Sequence, residues 1–382
     1  MTKIIGLGDV ADVVRTVGLD ALMDELIDRL DVALTSFDPD LTETHDRTGF
    51  HYERPSLGLV EWMPTHEVGR RVAIKTVGYH PENPSTRATP SVLATTSLYD
   101  TTDGRLTVIC EATVLTALRT GAASALATKV LSKPDSSTLG MIGCGAQAVS
   151  QIHAISRVRP IGRVIAYDSN AAVAGSLSER LARVGIDDVT VEVVGANDLG
   201  RLMTEIDLLC TATTVDPGAG PVVPESEHRP WLHINAVGAD FPGKVELPLS
   251  YLTDAFVCPD VRAQCLLEGE AQQLDEGALG PDLARVVRNA GEYERQQEML
   301  TVFDSTGWAL EDLLVAELFT DHAIALGLGV DVDLQPGSGD PYDPYQPLRF
   351  GSHPKAAPAA NPEDPGPAPP PNQERRALEW TL

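Results

Sequence analysis

The sequence predicts an α/β protein in which a doubly wound parallel sheet is joined to an α+β unit. Three observations predict it. A short apolar strand breaks at a glycine turn and reopens as a helix in Thr138–Ala148, TLGMIGCGAQA. Beyond it, strands and helices alternate to residue 304, the pattern of a parallel sheet covered on both faces. Before it, several strands follow one another without intervening helices, as in a mainly antiparallel sheet.

Taking the chain in order, Leu22, Leu26, Ile27, Leu30 and Leu34 recur at helical spacing and predict an amphipathic helix over 19–34. Residues 35–58 are polar and turn-rich. Strands are expected at 59–63, 71–79, 91–99 and 105–110, separated by Pro81–Pro84 and the Asp103–Gly104 pair. A helix rich in small residues spans 113–131 and leads into the glycine turn. Strands then fall near 138–143, 163–168, 190–194, 206–212, 232–237 and 301–304, and a last helix covers 312–326. Residues 351–371 are dominated by proline and alanine and read as an extended, disordered tail.

At 382 residues the chain holds two sizeable units. Its net charge of −26 excludes a phosphate-backbone partner, which needs clustered Lys and Arg. No segment reaches the ~18 apolar residues of a membrane helix, and no secretory leader is visible at the start. Five cysteines without a CxxC pair argue against a disulfide framework or a metal site and favour a reducing cytoplasm.

The glycine turn carries the first functional signal. Gly143 and Gly145 permit the tight turn and the close approach of a pyrophosphate. Ala146 and Gln147 open the helix whose N-terminus favours anions, and Ala148 lets that helix pack closely on the strand. Asp168 ends the next strand about 25 residues past Gly143, near the ~20-residue spacing of a ribose-binding carboxylate. The sequence thus predicts a dinucleotide site.

Four further stretches stand out. Glu61 lies in EWMP, and Lys75 sits in a strand whose alternate positions are apolar. Lys75 is either an outward-facing lysine or an ammonium that grips a carboxylate. Arg119, in EATVLTALRT, lies where a helix enters the second unit and could reach an anionic ligand. In HINAVGADFPGK a strand ends in a loop bearing Asn235, Asp240 and Lys244. Asp240 is there either a turn aspartate or a proton-transfer group. Ser305, in FDSTG, touches a nicotinamide or caps the next helix, and Thr211 and Thr213 invite the same two readings.

Assembled in order, EWMP, IKTVGYHPEN, EATVLTALRTGAASALATKVL, IGCGAQA, HINAVGADFPGK and FDSTG resemble the ornithine cyclodeaminase/mu-crystallin family, most of all its lysine-specific branch. The resemblance implies a substrate-binding and dimerisation domain at 1–125 and 314–350, an inserted Rossmann-type domain at 126–313, and a tail at 351–382. It implies a homodimer acting on a small basic amino acid with tightly held, recycled NAD. A hydride leaves the substrate α-carbon, the terminal amine attacks the resulting imine, ammonia departs and the hydride returns. Lysine would give L-pipecolate and ornithine L-proline. Carried over by position, Lys75 binds the substrate carboxylate, with Arg47 (or Arg54) as a further ligand. Asp240 moves protons at the α-amino group and Glu61 faces the substrate amines. The NAD positions implied are Ser91, Arg119, Thr120, Gly143, Gly145, Ala146, Gln147, Asp168, Thr213, Asn235, Ala236, Val237, Gly238, Lys244 and Ser305. Asp168 would repel a 2′-phosphate and so favour NAD over NADP. An amino-acid dehydrogenase or ketimine reductase of the same family is the alternative chemistry, and a non-catalytic binding protein the alternative class.

Overall fold

The computed structural model describes residues 1–337 and 339–345. The expected tail, 351–382, lies outside the described residues.

Two sheets organise the chain. The first has eight strands: β1 (Thr2–Ile5), β2 (Thr42–Thr44), β3 (Thr48–Tyr52), β4 (Gly58–Glu67), β5 (Arg71–Tyr79), β6 (Val92–Asp100), β7 (Leu106–Glu111) and the distant β15 (Val330–Val332). Its order is β15-β1-β7-β6-β5-β4-β2, with β3 also on β4. All pairings are antiparallel except β1 with β7. The second comprises β8 (Thr138–Ile142), β9 (Arg163–Tyr167), β10 (Thr190–Val193), β11 (Leu208–Thr211), β12 (His233–Ala236), β13 (Phe256–Pro259) and β14 (Thr301–Asp304). Its order is β10-β9-β8-β11-β12-β14-β13 and every pairing is parallel. The order reverses between β8 and β11, the switch point outside which open α/β sheets bind ligands.

The helices are α1 (Leu7–Val17), α2 (Leu19–Thr35), α3 (Asn83–Thr86), α4 (Thr113–Leu131), α5 (Ala146–Val158), α6 (Ala171–Gly175), α7 (Leu177–Ala182), α8 (Leu199–Glu205), α9 (Leu249–Asp254), α10 (Arg262–Glu268), α11 (Leu283–Arg288) and α12 (Ala309–Ala325). The small residues of α4 have a packing reason. A Cβ on Gly121 would lie 2.6 Å from the Ser150 carbonyl oxygen, so only glycine lets α4 and α5 approach this closely. Helix α12 is buried from Ala309 to Thr320 and lies against α1, α2, α4 and the first sheet.

Three sequence expectations change. The turn-rich stretch 35–58 contains β2 and β3, and the N-terminus contains β1 and α1, which no pattern announced. The second sheet gains β13 at its edge. A division at residue 125 falls inside α4, which packs on α2 and β6 and also on β12 and β14. One apolar cluster runs from Leu22 and Leu30 through Leu118 and Leu126 to Cys258 and Phe303. The two sheets therefore share a core, and Met1–Gln335 form one compact unit. All five cysteines are buried and free.

Candidate functional site

The site lies where the C-terminal ends of β8, β11, β12 and β14 face residues of β3–β5. At the glycine turn, Gly143 has φ 89° and donates its N–H to the Tyr167 carbonyl at 2.9 Å. A Cβ there would sit 2.6 Å from the Ala212 carbonyl oxygen, so both backbone conformation and space demand glycine. Gly145 caps α5 without a side-chain hydrogen bond, and no atom lies within 4 Å of where its Cβ would be. That leaves room for a phosphate beside the first-turn amides of Ala146 and Gln147. Asp168 accepts from Cys144 N–H and Asn170 N–H, both at 2.8 Å, so it braces the turn from the end of β9. Arg180 of α7 donates to the Gly145 carbonyl at 3.0 Å and the Cys144 carbonyl at 2.6 Å. This guanidinium puts positive charge beside the turn of a strongly acidic chain, and the sequence reading missed it.

At the adjoining strand ends, Ser305 N–H donates to Ala236 O and Val237 N–H to Thr211 O, both at 3.0 Å. Asn235 donates to the Thr128 hydroxyl at 2.9 Å. The Ser305 hydroxyl is buried without a hydrogen-bond partner, as a ligand-facing group would be before its ligand arrives. With the open Gly145 cradle, these groups fit a dinucleotide. Ser91 lies just before β6, half-buried, its carbonyl accepting from His80 N–H. Two expected cofactor ligands also have partners within the protein. The Thr120 hydroxyl is spent on the Thr116 carbonyl of its own helix at 2.7 Å, and Arg119 joins an acid–base network with Lys75.

That network begins at Lys75, which faces inward and is 2% exposed. Its ammonium lies 2.9 Å from Asp312 Oδ1, and Arg119 Nε reaches the same oxygen at 3.1 Å. Arg119 Nη1 donates to Glu311 at 3.0 Å. Gly307, at φ 92°, is needed because a Cβ would press within 2.6 Å of that guanidinium. Burial pulls Lys75 down to about 8, against the attraction of Asp312 and with the repulsion of Arg119 and Arg47. Burial likewise raises Glu311 to about 7. Asp312 Oδ2 has no hydrogen-bond partner. Lys75 and Arg119, with Arg47 close enough to repel Lys75, thus share one buried region with Asp312 and Glu311.

Further carboxylates lie around Arg47. Glu61 alternates with Met63 and Thr65 on the buried face of β4. Burial raises its pKa, Arg47 and His51 oppose the rise, and Asp240 adds to it. His51 Nε2 lies 3.6 Å from Glu61. Glu268, at the end of α10, was not expected from the sequence. It is 3.6 Å from Arg47 Nε, and burial, with Asp240 and Glu61 nearby, raises it to about 7 despite Arg47 and Gln264. Arg47 donates to the Thr306 carbonyl at 2.6 Å, whereas Arg54 is exposed, so Arg47 is the arginine of the cluster. Asp240 is half exposed and pairs with the buried Lys244 at 2.8 Å. Burial works against the Lys244 charge, but Asp240 raises its pKa. No group of side chains suited to a metal ion occurs among the described residues.

The chain is similar to known proteins along most of its length. The chain is 39% identical to an L-lysine cyclodeaminase of Streptomyces rapamycinicus over 90% of its length and 99% of that protein. A structure addressing recognition of L-lysine, L-ornithine and L-2,4-diaminobutyric acid by lysine cyclodeaminase superposes with a TM-score of 0.85. It is 45% identical and covers 90% of this chain and 98% of that one. An archaeal alanine dehydrogenase dimer with bound NAD superposes with a TM-score of 0.76 at 29% identity, covering 87% and 99%. The model of the ornithine cyclodeaminase/mu-crystallin family matches residues 9–326, and this chain belongs to that family.

Proposed function

We propose that this protein is an NAD-dependent cyclodeaminase that converts L-lysine to L-pipecolate and ammonia. The observation that carries the reading is a buried cluster of both signs, in which Lys75 and Arg119 share Asp312 and Arg47 lies among Glu61, Glu268 and Asp240. A diamino acid at neutral pH presents one carboxylate and two ammonium groups, the complement of that arrangement. The kinship to lysine cyclodeaminase supports lysine as substrate. Ornithine, giving L-proline, is the second reading, favoured by the Phe241–Pro242 pair that follows Asp240.

Lys75 and Arg47 hold the substrate carboxylate, with Arg119 steadying Lys75 through their shared partner Asp312. Asp240 takes the proton released at the α-nitrogen and returns it when ammonia leaves. Its exposure and its partner Lys244 leave it in exchange with water. Glu61 and Glu268 hold the side-chain ammonium. Ring closure needs that nitrogen as a free amine, so one carboxylate must accept its proton, and a group near 7 is suited to accept and release it. The Gly143–Gln147 turn, Asp168 and the strand-end loops at Thr213, Asn235–Gly238 and Ser305 hold NAD. When bound, NAD supplies the hydride acceptor at the α-carbon and the hydride donor to the cyclic imine.

Homodimerisation is supported by the outer face of the first sheet, where Phe50 (69% exposed) edges Trp62 and Leu93 is 49% exposed, and by the dimeric relative. A cytoplasmic location suits five buried free thiols. The reaction is tested by separate incubations with L-lysine and L-ornithine, measuring ammonia and identifying the cyclic product. Ammonia and pipecolate from lysine support the reading, and absence of ammonia from both substrates refutes it.

A further inference from the structure

We propose that Glu246 is a positioning residue for the nicotinamide-side loops, anchored by a chain of buried carboxylates that ends at Asp304. The inference rests on the NAD reading above. Glu246 has no exposed surface. Its Oε1 accepts the Thr213 N–H at 2.7 Å and its Oε2 the Gly238 N–H at 2.9 Å. One side chain thereby ties the loop after β11 to the loop after β12. The seat is built for it, since a Cβ on Gly238 would lie 2.3 Å from Glu246 Oε1.

Glu246 is itself held. Its own N–H donates to Glu270 Oε1 at 2.6 Å, and Leu247 N–H to Glu270 Oε2 at 3.2 Å. Glu270 repeats the pattern: its N–H and that of Ala271 donate to the two oxygens of Asp304 at 2.9 and 2.8 Å. Gly269 packs against the same carboxylate, where a Cβ would come within 2.7 Å. Asp304 closes β14, immediately before Ser305. The chain Asp304–Glu270–Glu246 therefore links the ends of β14, β11 and β12. Its middle step also fixes the turn that follows α10. Carboxylates suit this task because each oxygen accepts backbone N–H bonds that a loop cannot otherwise satisfy in the interior. Burial raises all three, Asp304 to about 7, the cost of keeping acids where no water reaches.

Glu246→Gln tests this, because the amide nitrogen must face an N–H that the carboxylate accepted. Calorimetric NAD titration, thermal unfolding and initial rates are compared for the parent, E246Q and Val13→Ala, which thins the core at a fully buried position of α1. The expected E246Q result is NAD affinity at least tenfold weaker, with KM for lysine at saturating NAD within threefold of the parent. V13A should lose unfolding temperature while keeping its NAD affinity. If E246Q fails to fold, Glu246→Asp, which keeps the carboxylate but withdraws it from the two loop N–H groups, is measured with the same expectation. NAD affinity within twofold of an NAD-binding parent overturns the proposal alone. Equal weakening in V13A also overturns it, by showing general destabilisation. A parent that binds no NAD overturns the cofactor reading and this proposal with it.

Discussion

Replacing Glu268 with glutamine should make the protein more stable at alkaline pH and a worse binder of its substrate. Burial lifts this carboxyl from 4.5 to about 7. In the unfolded chain it ionises near 4.5, so between the two values the folded state binds more protons. Stability therefore falls as pH rises from 4.5 through 7, and above 7 the whole penalty is present. At about 1.4 kcal/mol per pH unit this is on the order of 3 kcal/mol. Arg47, 3.6 Å away, loses an ionic partner in the variant, which leaves a net gain of about 1–3 kcal/mol at pH 8. At about pH 3.5, where the carboxyl is largely protonated in both states, parent and variant should unfold alike. The opposite effect is expected on function. A charge-assisted bond from the substrate's distal ammonium is worth about 1.5–3 kcal/mol, so KM for lysine should rise roughly ten- to hundredfold. Thermal unfolding at the two pH values and steady-state ammonia release provide the readings. A variant that melts below the parent at pH 8 with an unchanged KM would refute the placement of Glu268 as a strained, substrate-facing acid.

Lys75→Met removes the ammonium while keeping the volume, and leaves Asp312 to Arg119 alone. Breaking a buried pair costs about 3–5 kcal/mol, and kcat/KM for lysine should fall at least a hundredfold in rate assays while NAD titration changes less than threefold. Gly143→Ala meets both a positive φ and the Ala212 carbonyl, so NAD affinity measured by calorimetry should drop at least tenfold. Asp240→Asn should abolish ammonia release yet still bind NAD; near-normal turnover in that variant would remove Asp240 from proton transfer.

Much of this architecture was legible because its elements are long or repeat a strong local pattern. Arg71–Tyr79, Thr113–Leu131 and Thr301–Asp304 sit where alternation, small-residue runs and apolar runs place them. The short β1 and β13 were not legible. Each is four residues long and pairs with strands remote in sequence or carries a proline, so nothing local distinguishes it. In the proposed site, motifs and family resemblance singled out Lys75, Arg119 and Arg47. The acids beside them, Asp312, Glu311 and Glu268, were not singled out. In a chain with 55 acidic residues an aspartate or glutamate on a helix reads as solvated surface. Only the fold reveals that α12 is buried along its first three turns and brings its acids to Lys75 and Arg119. Nor does the sequence show that the Thr120 hydroxyl, implied as a cofactor group, also donates to its own helix.

In the proposed reaction a hydride leaves the substrate α-carbon and returns to the same carbon. L-lysine deuterated at the α-position, incubated with the enzyme and substoichiometric NAD, tests it most directly. The expected product is pipecolate that retains the deuterium at its α-carbon, with one ammonia per pipecolate and no accumulation of reduced cofactor. Reduced cofactor accumulating in step with ammonia, or pipecolate carrying solvent hydrogen at that carbon, would contradict it.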